Sequence, residues 1–170
     1  MPIPVAGVGH VLLYVRDVPS SIAFYENVLG CEVLEQDPEH GGTFMTINAG
    51  SHTIDLHPVS SAYVPASERP DSRTEPAKVL ARIESTPGVG HVGFPVASAE
   101  ALRDGYFQLV DKGIPVLATL DHGSQQSVYF CDPDDNILEI YWERPGARAM
   151  FLQGRSDVDT PLVFKRDGQA

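Results

Sequence analysis

Apolar and polar positions follow the same sequence of periods twice along the chain. GHVLLYVRDVPSSIAFYENVLGCEVL starts at Gly9 and GHVGFPVASAEALRDGYFQLVDKGIPVL starts at Gly90. Each opens with Gly-His and a short β-rich run, then shifts to apolar residues at i, i+3, i+4 spacing, which predicts an amphipathic helix. Ile22, Phe24, Tyr25, Val28 and Leu29 mark the inner face of the first helix, and Leu102, Tyr106, Leu109 and Val110 that of the second. Ser20 and Ser98 are the expected N-caps. Gly30 and Gly113 stand where a left-handed residue ends a helix, and another β run follows each.

The second halves also correspond. GTFMTINAGSHTIDLH (42–57) and QSVYFCDPDDNILEIY (126–141) each read as two strands around a Gly- or Asp-rich turn. Each repeat is therefore β-α-β-β-β, over 6–60 and 87–144, within a single domain of residues 1–170. Residues 61–86, rich in Pro and Ser, read as a linker in which EPAKVLARIE can form a short helix. The tail, 145–170, has little periodicity and is expected to wrap the surface or meet a partner subunit.

Composition narrows the partners. Twelve Lys and Arg against 23 Asp and Glu leave a net charge of -11. Such a chain repels phosphates, which argues against nucleic-acid or anionic-membrane partners. No apolar run is long enough to span a bilayer, and the first ten residues lack the pattern of a signal peptide. Cys31 and Cys131 belong to no CxxC pair and read as free thiols in a reducing, cytoplasmic setting.

The repeat also pairs chemistry. His10 matches His91, each after a Gly at a strand start, and Asp55 matches Glu139, each on the last strand of its repeat. A lone histidine there is usually a structural hydrogen-bonder, and a lone strand carboxylate often faces water. Recurrence of both types inside the apolar runs TIDL and ILEI changes the balance, because an unpaired buried carboxylate is costly. Two imidazoles and two carboxylates at symmetric positions satisfy one another most simply around a divalent cation. In a symmetric second hairpin Tyr129 lies opposite Glu139, and a bulge would shift this by one. His57 shares the face of Asp55, and His122 lies in a loop, LDHGSQQS, where a solvated role weighs as much as a functional one.

These residues resemble the vicinal oxygen chelate superfamily of glyoxalases, bleomycin-resistance proteins and type I extradiol ring-cleavage dioxygenases, most strongly in GHVLLYVRDVPSSIAFYENVLG and YFCDPDDNILEIYWERP. The resemblance implies an α+β fold of two βαβββ modules forming a cup-shaped mixed β-sheet around a metal. It places the metal ligands on His10, His91 and Glu139, with Asp55 at a fourth position used by the lyases. The run from His122 through Tyr129 and Asp132-Pro133 to Glu139 is similar to the extradiol signature, with Asp135 where that signature has Gly. It implies an Fe(II) enzyme, with Zn(II), Ni(II) or Mn(II) as alternatives, that opens a catechol-like ring with dioxygen. Tyr129 would hydrogen-bond a catechol oxygen, and His122 would steady the reduced oxygen or pass a proton. Extradiol enzymes carry a base histidine before the second ligand histidine, but residues 58–90 contain none, leaving His57 or His52 for that role. The alternatives are a glyoxalase-like lyase or isomerase using all four positions, and a non-catalytic drug-binding protein. A small aromatic substrate and a homodimer are the implied partners.

Overall fold

The computed structural model describes residues 8–38, 41–47, 52–59, 72–79, 89–153 and 159–166. The chain separates into two compact units, Met1–Pro65 and Ala66–Ala170. The first runs β1 (Val11–Val15), α1 (Val18–Leu29), β2 (Glu32–Gln36), β3 (Thr43–Thr46) and β4 (Ile54–Pro58). The second runs β5 (Val92–Pro95), α2 (Ala99–Asp111), β6 (Val116–Asp121), β7 (Gln125–Cys131), β8 (Ile137–Glu143), α3 (Ala147–Leu152) and β9 (Thr160–Pro161). The sheet orders are β1-β4-β3-β2 and β5-β8-β7-β6-β9. In both, the first and last strands of the βαβββ repeat pair in parallel and the others antiparallel. The mixed α+β reading and the internal repeat both hold.

The local signals explain where the helices begin and end. Asp17, not Ser20, caps α1, because its carboxylate accepts from the Ser20 amide at 2.8 Å. Pro19, with no amide hydrogen to leave unpaired, fits the first turn of that helix. Ser98 caps α2 as expected, accepting from the Ala101 amide at 3.1 Å. Gly30 and Gly113 adopt φ of 68° and 66°, the left-handed conformation in which a Cβ is disfavoured.

Tyr25 of α1 is fully buried, as are Val15, Met45 and Leu56 on the strands of its unit. In the second unit Leu102 and Leu109 of α2 are buried, along with Val128, Phe130 and Leu138, whereas Val110 is exposed. Residues 76–79 of the linker are helical and bring Val79 against Cys131 and Ile137. Residues 61–71 and 80–86 of the linker lie outside the described residues. Both cysteines are buried and free, and burial pushes the Cys31 thiol up to about 11. No described helix is long and apolar enough to cross a membrane.

The tail does more than wrap. β9 adds to the free edge of β6, pairing Thr160 with Asp121 and Pro161 with Leu120. Leu162 and Thr119 extend the contact: the Leu162 amide donates to the Thr119 carbonyl at 3.0 Å and the Thr119 hydroxyl donates to the Leu162 carbonyl at 2.6 Å. The Thr119 carbonyl, on the edge of β6, is thereby paired instead of facing water.

The turn after β6 is pinned by an ion pair to the end of β8. Arg144 grips Asp121 with both guanidinium nitrogens, at 2.7 and 2.6 Å, and also donates to the Gly123 carbonyl at 2.7 Å. The Arg144 hydrogen bonds hold the Asp121 carboxyl well below the usual carboxylate range, helped by the Gly123 amide and Gln126. Because the folded carboxyl titrates below its unfolded value, this stabilisation is whole above about pH 4 and fades as pH falls below it. Arg144→Gln is expected to lower the unfolding free energy by about 1 kcal/mol at neutral pH, discounted for partial solvent exposure. Urea titrations of both proteins at pH 7 and about pH 3 check this: the gap should narrow in acid, and a constant gap would count against the ion pair.

Candidate metal centre

The same strand pairing builds a histidine–carboxylate pair in each unit. Parallel pairing sets Leu12 of β1 opposite Asp55 of β4 and Gly93 of β5 opposite Glu139 of β8. Each partner lies two residues beyond its histidine, so His10 and His91 occupy corresponding places at the strand starts. His10 Nε2 is 3.6 Å from Asp55 Oδ2, and His91 Nε2 is 3.2 Å from Glu139 Oε2. The carboxylates are buried, at 3% and 5% side-chain exposure, while the imidazoles are roughly half exposed, at 48% and 45%. The negative charge thus lies inside, with an accessible nitrogen above it.

In the second unit the expected hairpin register is present: Tyr129 pairs directly with Glu139. The turn that sets this register is held by Asp132, whose carboxylate accepts from the Asp134 and Asn136 amides and the Asn136 side chain. Asp135 takes φ of 61°, the left-handed conformation that Asp tolerates better than most residues. Tyr129 meets the His91 ring edge-on at 5.3 Å between centroids, and its hydroxyl is 3.1 Å from His122 Nε2. Burial, then the Glu139 charge and a hydrogen bond to Glu139, push the Tyr129 phenol up to about 12, so it stays a proton donor at neutral pH. His91, Glu139, Tyr129 and His122 are therefore gathered in one unit.

Gln125 belongs to this group as well. Its side-chain amide donates to Glu139 Oε1 at 3.2 Å and to the Ser127 hydroxyl at 3.3 Å, orienting the carboxylate from the side away from His91. The two-residue period of β7 puts residues 125, 127 and 129 on one face, and that alternation is the signal in the sequence that marks Gln125. Gly93 supplies room: a Cβ there would come within 2.9 Å of Glu139 Oε2 and 3.2 Å of the Tyr141 ring.

In the first unit Asp55 holds two imidazoles. His52 Nδ1 is 2.5 Å from Asp55 Oδ1, and the His52 ring stacks on His10 at 4.5 Å between centroids and 28° between planes. Ligand atoms of His10, His52 and Asp55 lie within 4.8 Å of one another, close enough to share one metal ion. His52 was foreseen only as a substitute base; its place three residues before Asp55 at the strand entry was the available signal. His57 stays outside this group, packed over Gly42 and 6.1 Å from the Phe44 ring.

The donor set fits a divalent cation. Among the described residues, Asp55 and Glu139 form their ion pairs with histidines rather than with Lys or Arg. A neutral imidazole leaves the charge of a buried carboxylate uncompensated, and imidazole plus carboxylate is the donor chemistry that iron, manganese, nickel and zinc accept.

The chain is 28% identical over 131 residues to biphenyl-2,3-diol 1,2-dioxygenase 3 of Rhodococcus globerulus, covering 77% of this chain and 60% of that protein. It is 24% identical over 139 residues to metallothiol transferase FosB of Staphylococcus epidermidis, covering 81% of this chain and 84% of that one. In fold it resembles the glyoxylase/bleomycin resistance protein/dioxygenase domain of Frankia sp., with a TM-score of 0.63 at 23% identity over 84% of this chain and 95% of the other. Residues 7–140, which run from the first βαβββ repeat into the last strand of the second and include His10, Asp55, His91 and Glu139, match the family model, and the chain belongs to the Glyoxalase/Bleomycin resistance protein/Dioxygenase superfamily.

Proposed function

We propose that the protein is an extradiol-type dioxygenase that opens the ring of a catechol-like aromatic with dioxygen, using Fe(II) held by His10, His91 and Glu139. The observation that supports this reading most is the group around Tyr129. A phenol that keeps its proton is placed between His122 and the Glu139 carboxylate, and beside His91. Neither lyase chemistry nor sequestration of a drug calls for that pairing of donors. The dioxygenase among the relatives adds weight, although the chain spans only 60% of that protein's length.

Held by two histidines and one carboxylate, a bound metal would keep positions open for substrate. Bound Fe(II) would supply the centre through which electrons of the catechol reach dioxygen. With a catechol bound, Tyr129 would turn its one hydroxyl hydrogen from His122 and Glu139 to a catechol oxygen and fix the ring's orientation. His122, buried and hydrogen-bonded, offers a site to hold or pass a proton during ring opening. Gln125 keeps the Glu139 carboxylate turned toward His91. His57 and His52 are the candidates for the remaining base, and of these His52 has an orienting carboxylate in Asp55.

A second reading, a glyoxalase-like lyase or isomerase, is favoured by one observation. Asp55 is gathered with His10 and His52 instead of facing water, as a ligand at the fourth position would be. In that chemistry a carboxylate removes a proton next to a metal-polarised carbonyl.

Anaerobic reconstitution with Fe(II), followed by oxygen uptake with a panel of catechols, tests the proposal. Iron bound near equivalence, oxygen consumption and a yellow ring-opened product are expected; zinc or nickel retained with no oxygen uptake would favour the lyase. His91→Ala should abolish metal binding, while Asp55→Ala should leave it largely intact, and loss of metal in the Asp55 variant would reverse the choice. Gly93→Ala should weaken metal affinity by on the order of tenfold, by displacing the Glu139 carboxylate, with isothermal titration as the measurement. Tyr129→Phe should lower kcat by about 100-fold with metal content unchanged.

A further inference from the structure

We infer that Asp159, carried on the C-terminal strand, is a positioning residue that fixes the tautomer and orientation of His122. The inference about the ring stands on geometry alone; its consequence for turnover rests on the dioxygenase reading above.

Asp159 Oδ1 lies 2.6 Å from His122 Nδ1, and His122 Nε2 lies 3.1 Å from the Tyr129 hydroxyl. A neutral imidazole carries one N–H and one lone pair. A carboxylate can only accept, so Asp159 requires the hydrogen on Nδ1. Nε2 is then left with its lone pair and accepts from the Tyr129 hydroxyl. Without the carboxylate, the ring would be free to carry its hydrogen on Nε2, which would collide with the phenol's own donor or turn that hydrogen bond around. Tyr129 thus donates to His122 and His122 to Asp159, a chain of hydrogen bonds with a single direction that starts beside Glu139 and ends on Asp159.

The tail is built to hold Asp159 in place. Asp159 directly precedes β9, which is paired with β6 on the residue just before His122. Past β9, Phe164 stacks on Tyr106 at 4.9 Å, and Arg166 lies 4.7 Å over the Phe107 ring and pairs with Asp111, so α2 anchors the far end. The residue lies beyond 7–140, the stretch that matches the family model. A half-exposed carboxylate, at 51% side-chain exposure, contributes little to stability through an ion pair. Its effect therefore falls on the ring it touches.

Long-range proton–nitrogen NMR on the metal-free full chain reads the tautomer directly, at about pH 9 where an ordinary imidazole is neutral. His122→Gln identifies the signal. The wild type and Asp159→Glu should show hydrogen on Nδ1, and Asp159→Ala should move it to Nε2, with the thermal midpoint changed by no more than a few degrees. Tyr129→Phe gives a control that leaves Asp159 in place, and it should keep the hydrogen on Nδ1. A wild-type ring protonated on Nε2, an unchanged tautomer in Asp159→Ala, or a switch caused by Tyr129→Phe would each overturn the inference. With Fe(II) and a catechol, Asp159→Ala should lower kcat about tenfold at nearly constant KM, and Asp159→Glu should restore part of it. A tautomer switch with unchanged kcat would remove the catalytic role. A wild type with no turnover would refute the dioxygenase reading and leave the NMR result to decide the positioning role.

Discussion

A carboxylate buried in the last strand of each βαβββ unit is the constraint around which the rest is arranged. Asp55 and Glu139 are flanked by apolar residues, Ile54 and Leu56 in one case, Leu138 and Ile140 in the other, and those neighbours anchor the core. A charge in such a place must be answered locally, because burial without a partner costs several kcal/mol. The parallel pairing of first and last strands provides the answer, since it sets the Gly-His entry of one strand beside the carboxylate of the other. Cation binding is a natural extension of that arrangement: the half-exposed imidazoles are open to a ligand, and the carboxylates are already desolvated.

The two units have diverged in what they place next to that pair. In the first, Asp55 takes a second imidazole, His52, and the three groups stand close enough to share an ion. In the second, Glu139 takes an amide from Gln125 and a phenol from Tyr129, with His122 behind the phenol. One unit thus surrounds its carboxylate with imidazoles, and the other adds an amide and a phenol. The asymmetry is one of residue type, because the register is the same in both: Phe44 stands opposite Asp55 where Tyr129 stands opposite Glu139. The loop carrying His122 is tied down independently, by the grip of Arg144 on Asp121 and by the C-terminal strand.

Most of the architecture was legible because its signals are local. Gly30 and Gly113 end helices by backbone conformation, Ser98 caps by a hydrogen bond within one turn, and Asp135 closes the hairpin by tolerating a positive φ. Asp17 shows the limit of that legibility. It and Ser20 are both good caps three residues apart, and the cap fell to Asp17, whose carboxylate meets the Ser20 amide. Val110 shows another: it fits the helical period, yet the face it lies on is open to solvent at 45% exposure.

The sequence by itself determined the repeat, the strand and helix periods, and the recurrence of His10 with His91 and Asp55 with Glu139, because each depends on residue type at short spacing. The register of Tyr129 against Glu139 was also within reach, since a symmetric turn fixes cross-strand partners. Only the tertiary structure decided that His52 rather than His57 joins Asp55: the His52 imidazole meets the carboxylate, while the His57 ring packs over Gly42. It alone brought Asp159 to His122 across 37 residues of chain, with a β-edge pairing as the means. Contacts of that kind leave no periodic mark, because closing a long loop depends on an edge strand's unpaired backbone groups, and those carry no signature in the side chains.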